Sequence, residues 1–290
     1  MTNCEHFRFL SSDGKTQLHG CIWTPEEKIK FRGVLQIAHG VAEHIERYDD
    51  FARFLNSQGI VVAGHDHLGH GKSLPQGGTP VYFGEKDGWT HAVDDIHGLH
   101  LILAKRYKRL PQLILGHSMG SFLTRSYLIR YPGEKKAAVI MGTGWQPGYM
   151  LTGGTLVAKR FLYKNGPDST SPFVTELAFG GYNRAFAPNR TSVDWLSADT
   201  ENVDRYIADP LCLSLIHISE GRMTRWATWE RACGGRMMPS GPPGCRMFPF
   251  SSTPACGTRS SMKRPCRRRC ITTFCIGFPV ISDAIPPRGF

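Results

Sequence analysis

One short segment of the sequence could supply a nucleophile. It consists of Gly116, His117, Ser118, Met119 and Gly120, in the pattern G-x-S-x-G. A serine hydroxyl attacks a carbonyl carbon once a base removes its proton, so the pattern indicates covalent catalysis on an ester or amide. An apolar run precedes the segment and a helical pattern follows it, which is the context that presents such a serine at a sharp strand-to-helix turn. We therefore predict Ser118 as the nucleophile, with the two glycines allowing close backbone packing.

A second segment could stabilise the negative charge that forms when the serine attacks. His39, Gly40 and Val41 directly follow the apolar run Val34–Ala38. A tetrahedral intermediate needs two N–H groups aimed at its oxygen, and the backbone amides of Val41 and Met119 are the candidates. Gly40 permits a sharp turn, and we expect His39 to orient that turn and not to act as the base.

These segments resemble a known family. The stretches that carry the resemblance are 39–44 (HGVAEH), 47–48 (RY), 66–73 (DHLGHGKS) and 116–120 (GHSMG). They resemble the monoacylglycerol lipase and lysophospholipase branch of the α/β-hydrolases, also called serine aminopeptidase-like hydrolases, from about residue 5 to Cys212. The resemblance implies a Ser, Asp, His triad in that chain order, a lid over an acyl pocket, no metal and no organic cofactor. It implies a structural role for 66–73, so we do not expect His65, His67 and His70 to bind a metal.

The elements that must position these residues alternate along the chain. Runs of strand length are His6–Leu10, Leu18–Trp23, Val34–Ala38, Ile60–Ala63, Leu113–Leu115 and Ala137–Met141. Helical patterns cover Tyr48–Ser57, with Phe51, Phe54 and Leu55 on one face, and Trp89–Tyr107. This order predicts a doubly wound, mostly parallel α/β-hydrolase sheet, led in by an antiparallel pair and carrying an inserted lid. We divide the chain into a core over 1–144, a lid or cap over 145–205 and an aberrant tail over 206–290.

The predicted lid is rich in apolar side chains. They include Trp145, Tyr149, Leu151, Phe161, Leu162 and Phe173. Such side chains suit an acyl chain, and they suit the interior of the lid itself equally well. Both interpretations stay open.

The C-terminal part has a different composition from the rest. Residues 1–212 carry 23 Lys and Arg against 21 Asp and Glu, whereas residues 213–290 carry 12 against 3, so +9 of the net charge of +11 lies in this tail. The basic run 264–269 and the cysteines Cys266, Cys270 and Cys275 could touch a polyanion or a metal. Zinc sites favour closely paired cysteines and a fourth ligand, so we predict no metal there and no specific nucleic-acid partner.

The triad that the resemblance implies is incomplete. Beyond Cys212 the only histidine is His217, and the nearest aspartates before it are Asp199, Asp204 and Asp209. These acids lie too close to His217 in sequence to come from a separate strand end. We therefore expect no histidine within hydrogen-bonding reach of the Ser118 hydroxyl with a carboxylate behind it.

A shifted reading frame accounts for the missing residues. Read from the third nucleotide of each codon, the segment 223–227 gives Asp and Gly with Pro and Val allowed between them (D-P-V-G), and 252–263 permits Y-P-G-x-R-H-E-I-L-N-E, in which the histidine is allowed and not forced. These match the acid and base loops that the resemblance implies, in the right order. We interpret the chain from about Gly221 onward as a frameshifted translation, and we expect the C-terminal strands of the sheet to be missing or degraded.

The predicted function is cleavage of carboxylic esters resembling monoacylglycerols or lysophospholipids, with the literal chain inactive. A peptidase, thioesterase or acyltransferase on the same fold, or a non-enzymatic binding protein, stays open. The expected partner is a small acyl ester, with at most peripheral membrane or lipid contact. The composition, 41% hydrophobic and 20% charged, is typical of a globular protein, and the sequence has neither a signal peptide nor an apolar run long enough to span a membrane, so we expect a cytoplasmic protein.

Overall fold

A six-stranded sheet organises the part of the chain that the computed structural model describes, residues 4–144, 148–165 and 181–212. The strands are β1 (Cys4–Leu10), β2 (Gln17–Trp23), β3 (Gly33–Ala38), β4 (Ile60–His65), β5 (Gln112–His117) and β6 (Ala137–Met141). They lie in the order β1-β2-β4-β3-β5-β6. The pairs β1/β2 and β2/β4 are antiparallel and the other pairs are parallel, so the predicted antiparallel lead-in and mostly parallel sheet are confirmed.

Five helices accompany the sheet in the described ranges. They are α1 (Asp49–Ser57), α2 (Gly88–Arg106), α3 (Met119–Arg130), α4 (Gly148–Asn165) and α5 (Thr200–Ala208). Short 3₁₀ helices cover Ile45–Tyr48, Gly71–Ser73, Tyr182–Phe186 and Asp194–Leu196. Within the described ranges, none of the helices is long and apolar enough to cross a membrane.

Helices cover both faces of the sheet, and β3 shows why. All six of its residues are buried. Successive residues of a strand point to opposite faces, so Leu35 and Ile37 pack in one cluster with Ala52 of α1, while Val34 packs with Leu99 of α2 on the other face. A strand buried on both faces is mostly apolar, and the one polar side chain of β3, Gln36, is satisfied in the core because its amide donates to the Ile96 carbonyl of α2 (2.9 Å).

The prediction that Phe54 lies on the apolar, inward face of α1 is wrong. The side chain of Phe54 is 52% exposed, whereas Ala52 and Asn56 are fully buried. Asn56 enters the core because its amide nitrogen donates to the carbonyl oxygens of Trp23 (3.0 Å) and Ile60 (2.8 Å). A polar residue thus takes the inner position by satisfying two backbone acceptors, which hydrophobic spacing does not reveal.

Strand β6 forms one edge of the described sheet. One side of β6 pairs with β5, and all five of its residues, Ala-Ala-Val-Ile-Met, are only half-buried. An apolar edge strand is a template for a further strand. The prediction that C-terminal strands are missing or degraded concerns residues 213–290, which lie outside the described residues.

Candidate active site

Ser118 occupies the turn between β5 and α3. Its backbone has φ 51° and ψ −117°, a combination that L-residues rarely adopt. The Ser118 N–H donates to the Met141 carbonyl at the end of β6 (2.9 Å), and the Ser118 carbonyl accepts from the N–H (2.9 Å) and the hydroxyl (2.5 Å) of Ser121. These bonds hold a strained, half-buried serine at the carboxyl end of the sheet.

The glycines on either side of the turn are required by close backbone packing. A Cβ on Gly116 would overlap the Gly120 carbonyl and the Thr124 hydroxyl. A Cβ on Gly120 would overlap the Ala38 carbonyl at the end of β3. The turn therefore rests directly on the neighbouring strand, with no room for a side chain at either position.

The loop after β3 lies against Ser118. A Cβ on Gly40 would lie 3.3 Å from the Ser118 Cβ and 2.7 Å from Glu43 Oε1. The N–H of Val41 has no hydrogen-bond partner among the described residues, and the N–H of Met119, at the first position of α3, has no helical carbonyl to reach. Two backbone donors of the predicted oxyanion hole are therefore free beside the serine.

Glu43 connects several groups of this loop through hydrogen bonds. Its Oε1 accepts from the Gly40 N–H (2.6 Å) and the Tyr48 hydroxyl (2.9 Å), and it lies 2.7 Å from His117 Nδ1. Burial opposes the ionisation of Glu43, but the adjacent His117, with Arg47 nearby, holds the pKa of Glu43 well below its ordinary value. No individual role was predicted for Glu43 from the sequence; its signal was an acid within the segment 39–44 that carries the family resemblance.

The histidines near the loop are buried and already engaged. His39 Nδ1 lies 2.7 Å from the Gly40 carbonyl, and its Nε2 accepts from the His67 N–H (3.0 Å). His70 contacts the carbonyls of Leu68 and Val41 with its two ring nitrogens, each at 2.8 Å. Burial lowers the pKa of His39 and lowers that of His70 to about 4, and the contacts of both rings with the backbone support the turn.

Burial likewise lowers the pKa of His65 to about 3 and that of His67 well below the ordinary value. Asp66, between them, accepts from the N–H groups of Ile45 (2.7 Å) and Lys72 (2.8 Å). The segment 66–73 thus fixes the loops on both sides of Val41 by hydrogen bonds.

No hydrogen bond joins the Ser118 hydroxyl to an imidazole within the described residues. The three aspartates nearest before His217 have other partners: Asp199 caps α5, Asp204 pairs with Arg190 (2.7 Å), and Asp209 lies 2.7 Å from His44 Nε2. His217 and the tail lie outside the described residues, so the expected absence of a complete triad stays a prediction.

The described part of the predicted lid lies next to the loop after β3. Val193, Val203 and Tyr206 form a small buried cluster that packs against Ala42. In α4, Tyr149 is 77% exposed. Of the other apolar lid residues that the sequence singles out, Trp145 and Phe173 and the side chains of Leu151, Phe161 and Leu162 lie outside the described part. The bounds 145–205 stay a prediction.

Comparison with known proteins relates the chain to serine hydrolases. Residues 29–224 match the family described as "Serine aminopeptidase, S33". The monoacylglycerol lipase of Mycolicibacterium smegmatis is 33% identical over 192 residues, which cover 66% of this chain and 59% of that protein. The monoglyceride lipase of Homo sapiens is 29% identical over 202 residues, covering 65% of this chain and 54% of that protein. The chain thus spans little more than half the length of these relatives.

A solved structure has the same fold. A carboxyl esterase from Bacillus coagulans, in complex with glycerol, aligns with a TM-score of 0.65 at 27% identity. The alignment covers 77% of this chain and 73% of the esterase. The fold similarity therefore extends over most of the described residues.

Substitution of Gly120 tests the contact between the turn and β3. In Gly120→Ala the new methyl group meets the Ala38 carbonyl, which cannot move without displacing β3, so we expect the free energy of unfolding to fall by more than about 2 kcal/mol. Gly98→Ala in α2 is the matched control, because its Cβ would lie 3.6 Å from Phe9, and there we expect a gain of about 0.5–1 kcal/mol. Denaturant unfolding measures both; equal effects would contradict the proposed contact.

Substitution of Glu43 tests whether its ionised carboxylate stabilises the loop after β3. We expect Glu43→Gln to lower the free energy of unfolding by about 1–3 kcal/mol at pH 7, and Tyr48→Phe, which removes one hydrogen bond, by about 1 kcal/mol. The pKa of Glu43 is depressed in the folded state, so its contribution is complete above the unfolded value near 4.5 and declines as the pH falls below it. Between pH 7 and pH 3, the difference in the free energy of unfolding between the parent and Glu43→Gln should shrink. A constant difference would rule out a stabilising role for ionised Glu43.

Proposed function

Because this chain belongs to the serine aminopeptidase S33 family and has the α/β-hydrolase fold, we propose that it is a serine hydrolase that cleaves carboxylic esters through an acyl-enzyme on Ser118. The observation that carries the proposal is the strained turn at Ser118 with the Gly40 loop packed against it. We assign the N–H groups of Val41 and Met119 as the oxyanion donors, and the Val41 N–H has no acceptor among the described residues. Lipase relatives with 33% and 29% identity support an ester as substrate.

The geometry suits the two half-reactions of acyl transfer. The Ser118 oxygen attacks the ester carbonyl carbon, and the carbonyl oxygen gains the negative charge that the N–H groups of Val41 and Met119 stabilise. The alcohol leaves with a proton, and water then releases the acid from Ser118. Because these donors are backbone groups held by the loop and by α3, they need no rearrangement as charge develops.

The Ser118 proton needs a base. A serine without one is a weak nucleophile at neutral pH. We assign this role to the histidine that the shifted frame permits in the loop over 252–263, with the acid from 223–227, and we infer that the chain as written is inactive. The alternative base in this chain would be His117, because Glu43 lies behind it at 2.7 Å.

We further propose substrates that resemble monoacylglycerols or lysophospholipids. The names of the relatives and the exposed apolar side chains of α4, among them Tyr149 and Leu156, support a lipid ester. Peptidase, thioesterase and acyltransferase activities use the same elbow, so the substrate and not the fold separates them. A cytoplasmic location stays part of the prediction.

Restoring the reading frame tests whether the chain as written is inactive because it lacks the catalytic base. We expect the restored protein to hydrolyse a short-chain nitrophenyl ester at least about a thousandfold faster than the chain as written, since loss of triad members costs about this much. In the restored protein, Ser118→Ala should abolish turnover and labelling by a fluorophosphonate, whereas Ser57→Ala, at an exposed helix end, should change neither. Comparable activity of the restored and written chains would contradict the proposal and direct the search for a base to His39, His117 and His217.

A substrate panel tests the reaction class. We expect the restored protein to turn over monoacylglycerols and nitrophenyl esters and to leave aminoacyl amides intact, because the apolar lid favours acyl chains. Initial rates at matched concentrations give the comparison. Turnover of amides alone would favour the peptidase alternative over the lipase.

A further inference from the structure

Four potential metal ligands meet at the β1/β2 end of the sheet. They are His6 of β1, His19 and Cys21 of β2, and Glu46 of the 3₁₀ helix Ile45–Tyr48. One nitrogen, sulfur or carboxylate oxygen from each lies within 4.8 Å of all the others. Strand pairing explains the meeting, because His6 is opposite Cys21 in the register and His19 is two residues from Cys21, on the same face.

The separations fit a tetrahedral ion. His6 Nδ1 lies 3.1 Å from His19 Nε2 and 3.4 Å from Cys21 Sγ. Glu46 Oε1 lies 3.5 Å from each of the two imidazole nitrogens and 4.0 Å from the sulfur. Tetrahedral Zn²⁺ with bonds of about 2.0–2.3 Å places its ligand atoms about 3.3–3.8 Å apart. Small side-chain movements would therefore bring all four atoms into coordination.

A buried carboxylate already orients one of the imidazoles. Asp66 Oδ2 lies 3.2 Å from His19 Nδ1, which leaves His19 Nε2 pointing at the cluster. Asp66 is in turn held by the backbone N–H groups of Ile45 and Lys72. A carboxylate behind a ligating histidine fixes its tautomer and orientation and is typical of zinc sites.

Binding of a cation at these four residues requires access from solvent, displacement of the Lys72 ammonium and loss of the Cys21 proton. Cys21 and His19 are buried, while the His6 side chain is 52% exposed and gives an ion access from solvent. The Lys72 ammonium now contacts Glu46 Oε1 at 2.6 Å, and its 43% exposed side chain can turn into solvent when a cation replaces it. The Cys21 thiol must release its proton to solvent to become a ligand.

We propose that His6, His19, Cys21 and Glu46 bind one Zn²⁺ ion. Imidazole and thiolate ligands select zinc over magnesium and calcium, which prefer oxygen. Four protein ligands fill the coordination sphere, so the site is structural and not catalytic. It would join β1 and β2 to the 3₁₀ helix that follows Glu43, and none of its ligands lies on β5 or α3.

The test uses the full chain, reduced and stripped of metal, titrated with Co²⁺ and then with Zn²⁺. We expect a thiolate-to-Co²⁺ charge-transfer band that Zn²⁺ abolishes. Cys21→Ser should remove the band and weaken Zn²⁺ binding by more than about a hundredfold, a larger loss than second-sphere changes cause. His6→Ala, at a side chain that is 52% exposed, should weaken binding at least about tenfold.

Two cysteine variants serve as matched controls. Cys4→Ser removes a thiol that hydrogen-bonds to Cys21 but is not one of the four ligands, and Cys212→Ser removes one beside His44 and Asp209. Both should keep the band and the zinc affinity. Zn²⁺ should also raise the Tm of the parent chain and of Cys4→Ser, but not that of Cys21→Ser. A band that persists in Cys21→Ser and His6→Ala, or a parent chain without a zinc-dependent change, would overturn the proposal.

Discussion

The distance between two backbones governs the candidate site. The turn after β5 touches the Ala38 carbonyl at the end of β3, and this contact exists because Gly120 has no side chain. It brings the loop after β3 to Ser118, where a Cβ on Gly40 would lie 3.3 Å from the Ser118 Cβ, so the two N–H groups predicted for the oxyanion hole, those of Val41 and Met119, come from different elements. Neither donor depends on a side-chain rotamer, which makes their placement a property of the sheet itself.

Two carboxylates, the half-buried Glu43 and the buried Asp66, fix the loops around this contact. Glu43 binds the Gly40 N–H, the Tyr48 hydroxyl and His117, and Asp66 binds the N–H groups of Ile45 and Lys72. Each anion satisfies backbone donors that the loops would otherwise bury unpaired, which explains how irregular segments stay fixed beside a rigid sheet. The buried rings of His39 and His70 complete the same network through carbonyl groups.

The features predicted from sequence are those whose signal is local. The elbow at Ser118 and the strand Ala137–Met141 follow from residues next to one another, and the described sheet contains both. The inward position of Asn56 depends on two carbonyls of other elements, so hydrophobic spacing favoured Phe54 instead. The cluster of His6, His19, Cys21 and Glu46 spans forty residues of chain and exists only through strand register, which the sequence does not display.

The position of β6 at an edge of the described sheet affects how easily the turn at Ser118 unfolds locally. The Ser118 N–H is bonded to the last residue of β6, and β6 is the half-buried outer strand of the described sheet. Edge strands fray at lower free energy than central ones, in local openings that leave the rest of the native state intact. The Ser118 amide hydrogen would exchange with solvent through such fraying, well before global unfolding. The strained turn is thus hydrogen-bonded to an edge strand of the described sheet. A further strand paired with β6 would reduce its fraying and so stabilise the turn that holds Ser118.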